Sequence, residues 1–401
     1  MPGHVLVMGI PAHGHMRPVL AVVEELVRRG VRVSVLATAE FVAAVEGIGA
    51  DAVVYQTQMA DWLGAGRMGN ADPDADSLAW SRVLFFIEAS HLADKALEHF
   101  AADVPDLVLY DMSVAPAGRA LGHLWGRPVV QSTPSFGSNA RYSQVDVVLA
   151  AAGVGPGHPA GAELRKLASE FAERHRLPHS PESLVDWAAD DAVVYVPKEF
   201  QVAADGFDDR TAFVGPCLGA GDLNGEWSPE DGRPLVVVSM GTTVNGGTAF
   251  FREVADAFAG EPWTVVMTLG ASADDLGPLP PNVSAHAWIP QLAVLEHAAA
   301  FVTSGGLGSV TMALRQGVPM VVVPKIPECK VVARRVAALG LGTVVASAEA
   351  TGPRLRTAVA DLLADAATRE RVAAMGERTR EAGGARAAAA LVESRLAVPA
   401  G

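Results

Sequence analysis

Two polar side chains that could move a proton each follow an apolar, strand-like run. His13 lies in 11-PAHGHMRP-18, shortly after the first apolar run, and Asp111 directly follows 106-DLVLY-110. A histidine can take a proton near neutral pH, and a carboxylate bonded to its ring holds the tautomer that this step needs. Alone, His13 could be a surface residue and Asp111 a helix N-cap. Since both follow strands, we predict that they form a general-base pair, with His15 holding the loop.

A second set of polar residues, in the C-terminal half, is suited to an anion. The stretch 239-SMGTT-243 ends an apolar run in small hydroxyl residues, and 304-SGGLGS-309 leads from another run into a helix. Backbone N–H groups at a helix start and small hydroxyl side chains can meet a diphosphate. Trp288 could stack on a base or belong to the core. We expect the anion site to include Ser304, Gly306, Gly308 and Ser309.

Apolar runs that alternate with helical periodicity must position these residues. The runs predicted as strands are 4–10, 31–37, 52–55, 107–110, 128–131, 235–240, 263–268, 283–288, 301–303 and 320–323. Fully apolar strands separated by helices indicate parallel sheets covered on both faces. Ligands of such sheets bind at the carboxyl ends of the strands, which is where the candidate residues fall.

A change in composition divides the chain. Residues 216–234 are rich in Gly, Pro and acidic residues and carry no apolar periodicity, which indicates an exposed linker. We predict an α/β protein of two doubly wound, Rossmann-like domains facing across a cleft. The predicted parts are domain 1–218, linker 219–233, domain 234–380 and a C-terminal helical segment 381–401. The stretch from 368 to 396 is expected to be helical throughout.

Composition excludes several classes of function. The chain has 401 residues and a formal net charge of −14, which opposes nucleic acid or an anionic membrane as a partner. No uninterrupted apolar run reaches the ~18 residues that span a bilayer. The two cysteines, Cys217 and Cys329, are far apart and stand outside any His/Cys cluster, so a disulfide framework or zinc site is not expected. With no basic leader before the first strand, these features favour a cytoplasmic protein.

Several segments together resemble the GT-B-fold glycosyltransferases that use nucleotide sugars, above all the bacterial macrolide and natural-product transferases. They are AHGH, LVLYD, SMGT, WIPQ, the small-residue turn after FVT, the strand ending at Pro324, a PKEFQ strand (197–201) and FVGPC (213–217). The likeness covers essentially the whole chain. It implies an inverting enzyme that passes a sugar from a UDP- or dTDP-linked donor to a hydroxyl of a small apolar acceptor, with no metal and no further cofactor.

The resemblance also implies roles for single residues. His13 would be the general base and Asp111 its orienting partner. Trp288 would stack on uracil or thymine, Gln291 would lie beside the nucleotide, and Thr242 would bond a phosphate oxygen. The terminal helix would pack on the N-terminal domain.

Three positions on the donor side depart from the family pattern. Ser304 stands where the family usually has a histidine that donates to the diphosphate. Met312 stands where a glutamate usually holds the ribose hydroxyls, a role that a thioether cannot take. Glu328 and Cys329 align with an acid–amide pair that holds the sugar, so the acid is kept and the amide is lost.

These departures leave two other functions open. The protein could use the His13–Asp111 base for an elimination, cyclisation or rearrangement of a natural product, with its donor site given up. It could instead be a non-catalytic auxiliary or binding protein. The paired base argues against the auxiliary role, and the altered donor turn argues for sugar-independent chemistry.

Overall fold

The structure, a computed structural model, describes residues 3–60, 74–229, 231–241 and 247–396. These residues form two compact units. The chain passes from the first unit to the second between Gly219 and Ala220, and residues from Ala382 onward return to the first unit.

The first unit is built on a seven-stranded parallel sheet with the order β3-β2-β1-β4-β5-β6-β7. The strands are β1 (His4–Met8), β2 (Arg32–Ala37), β3 (Asp51–Val54), β4 (Leu107–Asp111), β5 (Val129–Thr133), β6 (Ala192–Val194) and β7 (Thr211–Phe213). β1 and β4 are neighbours, with Met8 paired to Tyr110, so both strands end at the same edge of the sheet.

Helices cover both faces of this sheet. They are α1 (His13–Arg28), α2 (Ala39–Gly47), α3 (Ala75–His99), α4 (Ala115–Trp125), α5 (Gln144–Ala151), α6 (Pro159–His175) and α7 (Pro181–Val185). One buried apolar cluster joins the sheet to α3, α4 and α6, and a second joins it to α1 and α2. The strands are therefore apolar on both sides, as parallel strands buried under helices require.

The second unit is built on a six-stranded parallel sheet with the order β10-β9-β8-β11-β12-β13. Its strands are β8 (Leu235–Ser239), β9 (Thr264–Thr268), β10 (Val283–His286), β11 (Ala298–Thr303), β12 (Met320–Val322) and β13 (Gly342–Val344). Its helices are α8 (Ala220–Leu223), α9 (Gly247–Ala257), α10 (Gln291–Glu296), α11 (Leu307–Gln316), α12 (Pro327–Ala338), α13 (Gly352–Ala364) and α14 (Ala366–Glu381).

The last helix, α15 (Gly384–Leu396), packs on the first unit against α1. Arg29, the residue after α1, bonds Glu393 at 2.6 Å, and Arg395 bonds Asp191 at 2.7 Å. The expectation of one continuous helix from 368 to 396 is wrong. The helix breaks because Gly383 and Gly384 take φ values of 90° and 56°, a left-handed conformation that favours glycine.

The expectation of a strand at PKEFQ, residues 197–201, is also wrong, because these residues form a turn. Phe200 donates its N–H to the Pro197 carbonyl at 2.9 Å, which closes the chain on itself. The buried Gln201 side chain then bonds both backbone groups of Gly137, at 2.9 and 3.0 Å. These residues tie a loop to the end of the sheet. In the part of the chain that the structure describes, no helix is long and apolar enough to cross a membrane.

Gly118 of α4 is required by packing against Tyr110, the buried residue before Asp111. A Cβ atom at position 118 would lie 2.2 Å from Tyr110 Cδ1. We expect Gly118→Ala to lower the free energy of unfolding by about 1–3 kcal/mol through overpacking. Gly161→Ala in α6 is the control, because its nearest neighbour is an arginine tip at 3.7 Å. Urea unfolding measures both, and equal stability of the two variants would contradict this packing account.

Glu25 of α1 gives a pH-dependent contribution to stability. Hydrogen bonds from Arg28 and then Arg29 lower the pKa of Glu25 to about 2, and its side chain is 10% exposed. Because the folded pKa lies below the unfolded value of about 4.3, the stabilisation is present above that value and is lost as pH falls toward 2. We expect Glu25→Gln to remove about 2 kcal/mol at pH 7 and much less at pH 2–3.

The matched control is Glu46→Gln, on the exposed side of α2. Its unfolding free energy should follow that of the wild type at every pH. The same loss at pH 7 and at pH 2 in Glu25→Gln would show that packing, and not charge, explains the effect.

Candidate active site

The end of β1 and the end of β4 bring the proton-transfer residues of the first unit together. Asp111 is the last residue of β4, and Gly9 follows β1 directly. A Cβ atom at Gly9 would lie 3.0 Å from Asp111 Cβ, tighter than ordinary contact. The absent side chain therefore lets the carboxylate sit close against the segment that leads into α1.

Asp111 forms its side-chain hydrogen bond with His15. His15 Nδ1 lies 2.9 Å from Asp111 Oδ2, and the Ser113 backbone N–H donates to Asp111 Oδ1 at 2.8 Å. The carboxylate is 5% exposed and the imidazole 28% exposed. An ionised carboxylate can only accept, so Nδ1 carries the proton and Nε2 carries the lone pair. This is the tautomer of a general base that acts through Nε2.

The predicted pairing of His13 with Asp111 is wrong. His13 Nε2 lies 3.0 Å from Glu40 Oε1, its side chain is 66% exposed, and its ring meets the edge of Phe41. The reason is that α1 begins at His13. Two residues apart on a helix point about 200° apart, so only one of the two histidines can face β4. The spacing His-x-His at a predicted helix start was the sequence signal that only one of the two histidines could face Asp111.

In the second unit, the turn after β11 holds Ser304. Gly305 has φ +84°, and a Cβ atom there would lie 2.8 Å from Val322 Cγ1, so the turn itself demands glycine at 305. A Cβ atom at Gly241, which follows β8, would lie 3.5 Å from Ser304 Oγ. The ends of the neighbouring strands β8 and β11 thus meet at Ser304.

Gly306 and Gly308 differ from Gly305 in what surrounds them. Gly306 is the N-cap of α11, and Gly308 and Ser309 lie in its first turn. Among the described residues, no heavy atom lies within 4 Å of a Cβ atom built at Gly306 or Gly308, and neither has a positive φ. The fold's own packing does not require these two glycines. They leave the backbone N–H groups of the helix start open to a ligand.

Glu328 lies near this turn, Gln291 lies against Met312 of α11, and Trp288 lies past β10. Gln291 Nε2 is 3.9 Å from Met312 Sδ, so the amide faces the thioether that replaces the expected carboxylate. Glu328 is in the first turn of α12, next to Cys329, whose Cβ is 3.6 Å from a Cβ built at Gly305. Trp288 is 70% exposed and therefore is not a core residue. Thr242 lies outside the described residues.

The residue types that bind metals, and the Cys329 thiol, have the following placement among the described residues. Across residues 3–60, 74–229, 231–241 and 247–396, no group of three or more His, Cys, Asp and Glu side chains is placed to hold a metal ion. Burial raises the pKa of Cys329 to about 12, so this thiol is protonated at neutral pH and a poor nucleophile.

Comparison with known proteins identifies the class. Residues 253–386 match the family model for the C-terminal domain of erythromycin biosynthesis protein CIII-like proteins. The chain is 34% identical to demethyllactenocin mycarosyltransferase of Streptomyces fradiae, over 98% of this chain and 86% of the relative. It is 31% identical to oleandomycin glycosyltransferase of Streptomyces antibioticus, over 98% and 91%. The crystal structure of the calicheamicin glycosyltransferase CalG4 matches with a TM-score of 0.90 and 35% identity over 100% of both chains.

Two parallel-sheet, Rossmann-like units with this similarity define a glycosyltransferase of the GT-B fold. The chain belongs to the family of bacterial macrolide and natural-product glycosyltransferases. The predicted resemblance, fold class and enzyme class are confirmed, and the auxiliary, non-catalytic role is wrong.

The two histidines give a direct test of the geometry. We expect His15→Ala to lower the rate of glycosyl transfer by at least about 100-fold, because it removes the group that Asp111 orients. His13→Ala should stay within about threefold of wild type, since it only breaks an exposed pair with Glu40. Turnover with a nucleotide-sugar donor and a hydroxylated apolar acceptor measures both. The reverse order of effects would return the base role to His13.

Proposed function

We propose that the protein transfers a sugar, with inversion, from a UDP- or dTDP-linked donor to a hydroxyl group of an apolar natural product. The observation that carries the proposal is the hydrogen bond of 2.9 Å between His15 Nδ1 and the buried Asp111 carboxylate. It prepares a base for an acceptor hydroxyl in a family whose members are glycosyltransferases. This proposal moves the base role from His13 to His15.

The proposed reaction is one displacement. His15 Nε2 takes the acceptor hydroxyl proton while the acceptor oxygen attacks the anomeric carbon from the face opposite the diphosphate. The bond between that carbon and the diphosphate oxygen breaks, which inverts the configuration. Asp111 stabilises the imidazolium ion that forms, and its 5% exposure keeps this interaction strong.

The leaving diphosphate needs partners in the second unit. We propose the open N–H groups at the start of α11, the Ser304 and Ser309 hydroxyls, and Thr242 for the phosphates. Trp288 would stack on the base, with Gln291 beside the nucleotide. Glu328 would bond hydroxyls of the sugar. The support is the empty space at Gly306 and Gly308 together with the exposure of Trp288.

Because of Ser304 and Met312, we expect a lower affinity for the donor than the family pattern would give. A hydrogen bond to a charged group contributes about 1.5–3 kcal/mol, so the loss of two weakens binding by roughly 10² to 10⁴-fold. The same two residues favour a second candidate function, in which the His15–Asp111 base acts on a natural product with no sugar donor. Turnover of acceptor by nucleotide-free protein without any donor would select that function.

Calorimetry with UDP and dTDP tests the donor site. We expect binding in the micromolar to low-millimolar range for wild type, and at least about tenfold weaker binding for Gly308→Ala, whose methyl group would occupy space next to the diphosphate. Gly232→Ala is the control, because it too has open surroundings and an ordinary φ but lies away from α11. The control should bind like the wild type. No nucleotide binding at millimolar concentration would remove the transferase proposal.

A further inference from the structure

A small cavity within the first unit is lined in part by Ser113, which hydrogen-bonds Asp111. It measures about 20 Å³, room for about one water molecule, between α3, α4 and α6. Its floor includes the buried residues Phe86, Ser113 and Leu164. Ser113 is the residue whose backbone N–H donates to Asp111 Oδ1. The cavity is therefore one hydrogen bond away from the carboxylate that orients the base.

Among the described residues that line this cavity, Arg82 is the one with a charged side chain, and we call Arg82, Phe85 and Trp187 the rim. Arg82 and Phe85 of α3 and Trp187 after α7 are half-buried there. A guanidinium group has five N–H donors in a fixed plane. Among the described residues, Arg82 forms no hydrogen bond and no ion pair, and Asp146 and Asp186 attract it only from beyond ion-pair distance.

A neighbouring arginine shows how the same unit satisfies such a group when its role is structural. Arg119 of α4 donates to the carbonyls of Leu184, Asp186 and Ala188, at 2.8, 2.7 and 2.6 Å. Arg82 has no equivalent bonds. Burial lowers the pKa of Arg82, so its charge is poorly compensated in this state. A charged group held in this way is stabilised when an anion of matching geometry enters.

We propose that Arg82 binds a carboxylate of the acceptor, so that the natural product this enzyme glycosylates is an apolar scaffold bearing a carboxylate. The inference rests on the proposed function, because it takes the cavity beside Asp111 as part of the acceptor site.

The chemistry of the rim fits such a ligand. A carboxylate can accept two parallel N–H bonds from one guanidinium, which are stronger than neutral hydrogen bonds. Phe85 and Trp187 also line the cavity, so they offer aromatic surface to the apolar body. The 20 Å³ cavity has room for about one water molecule, so it can take an oxygen of the carboxylate but not the scaffold. The net charge of −14 repels anions in general, so a carboxylate is held only where a local cation faces it.

The test uses a matched pair of probes, 6-hydroxy-2-naphthoate and its primary amide, which share the ring and the hydroxyl and differ in charge. Calorimetry on the full chain should give at least about tenfold tighter binding of the naphthoate by wild type. Arg82→Met should weaken naphthoate binding to the level of the amide and leave amide binding unchanged. Arg82→Gln, a second neutral variant, should give the same result if Arg82→Met does not fold.

Arg165→Met is the control, since Arg165 lies exposed on α6 outside the cavity lining. Its preference for the naphthoate should equal that of wild type. Equal affinity of wild type for the two probes, no binding of either at 10 mM, or an undiminished preference in Arg82→Met would each overturn the proposal.

The two proposals fail separately. UDP or dTDP binding and glycosyl transfer test the proposed function. Arg82 has no part in the proposed nucleotide site, so its substitution should leave nucleotide binding unchanged. If nucleotides do not bind but the naphthoate preference depends on Arg82, the carboxylate site stands and the transferase proposal falls. If nucleotides bind and sugar is transferred with no preference for the naphthoate, only the carboxylate site falls.

Discussion

Parallel pairing of β1 with β4 is the constraint on which the acceptor-side chemistry depends. It ends both strands at one edge of the sheet, so that the residues after Met8 and Tyr110 must share the same small region. Gly9 then allows Asp111 to approach, and the start of α1 presents His15 to it. A carboxylate that is 5% exposed is held there by two hydrogen bonds, one from a backbone N–H and one from an imidazole. The imidazole bond depends on the register of this strand pair, whereas the Ser113 bond is local, between residues two apart in the chain.

The second unit uses glycine for two different purposes at one turn. Gly305 is needed by the fold, because its backbone is left-handed and its neighbour Val322 leaves no room for a side chain. A side chain would fit at Gly306 and at Gly308, so the packing of the fold does not require glycine at these positions. Gly305 therefore belongs to a turn that any parallel strand needs, whereas Gly306 and Gly308 belong to a helix start whose backbone remains open. In the proposed donor site, Ser304 and Met312 would set how strongly that opening holds a nucleotide.

The charges of the first unit divide in a similar way. Arg29, Arg119 and Arg395 are satisfied by carboxylates or carbonyls and hold helices and loops in place. Arg82 stands at an apolar rim, and none of the described residues forms a hydrogen bond or ion pair with it. Satisfied arginines stabilise the fold, whereas we attribute the unsatisfied Arg82 to the binding of a ligand. The acceptor site would then select by charge as well as by apolar area.

The sequence by itself determined the two α/β sheets and the strand ends that carry the candidate residues, because fully apolar strands and small-residue turns are local patterns. The class of enzyme followed from the resemblance of several segments to a known family. The sequence did not show β6, β7 or β13, each of three residues; β12 is as short but was predicted from the apolar run 320–323. The turn at 197–201 was hidden as well, because Gln201 is fixed by Gly137, a residue distant in the chain.

Which histidine faces Asp111 was decided only by the tertiary structure. Sequence spacing places His13 and His15 in the same loop, equally near the end of β1. Their directions follow from where α1 begins and from how that helix lies on the sheet. A shift of the helix start by two residues would exchange their roles, since the side chains differ by about 200° around the axis. The sequence therefore showed which residue types could form the pair. The rotation of α1 about its axis, relative to β4, selects His15 as the partner of Asp111.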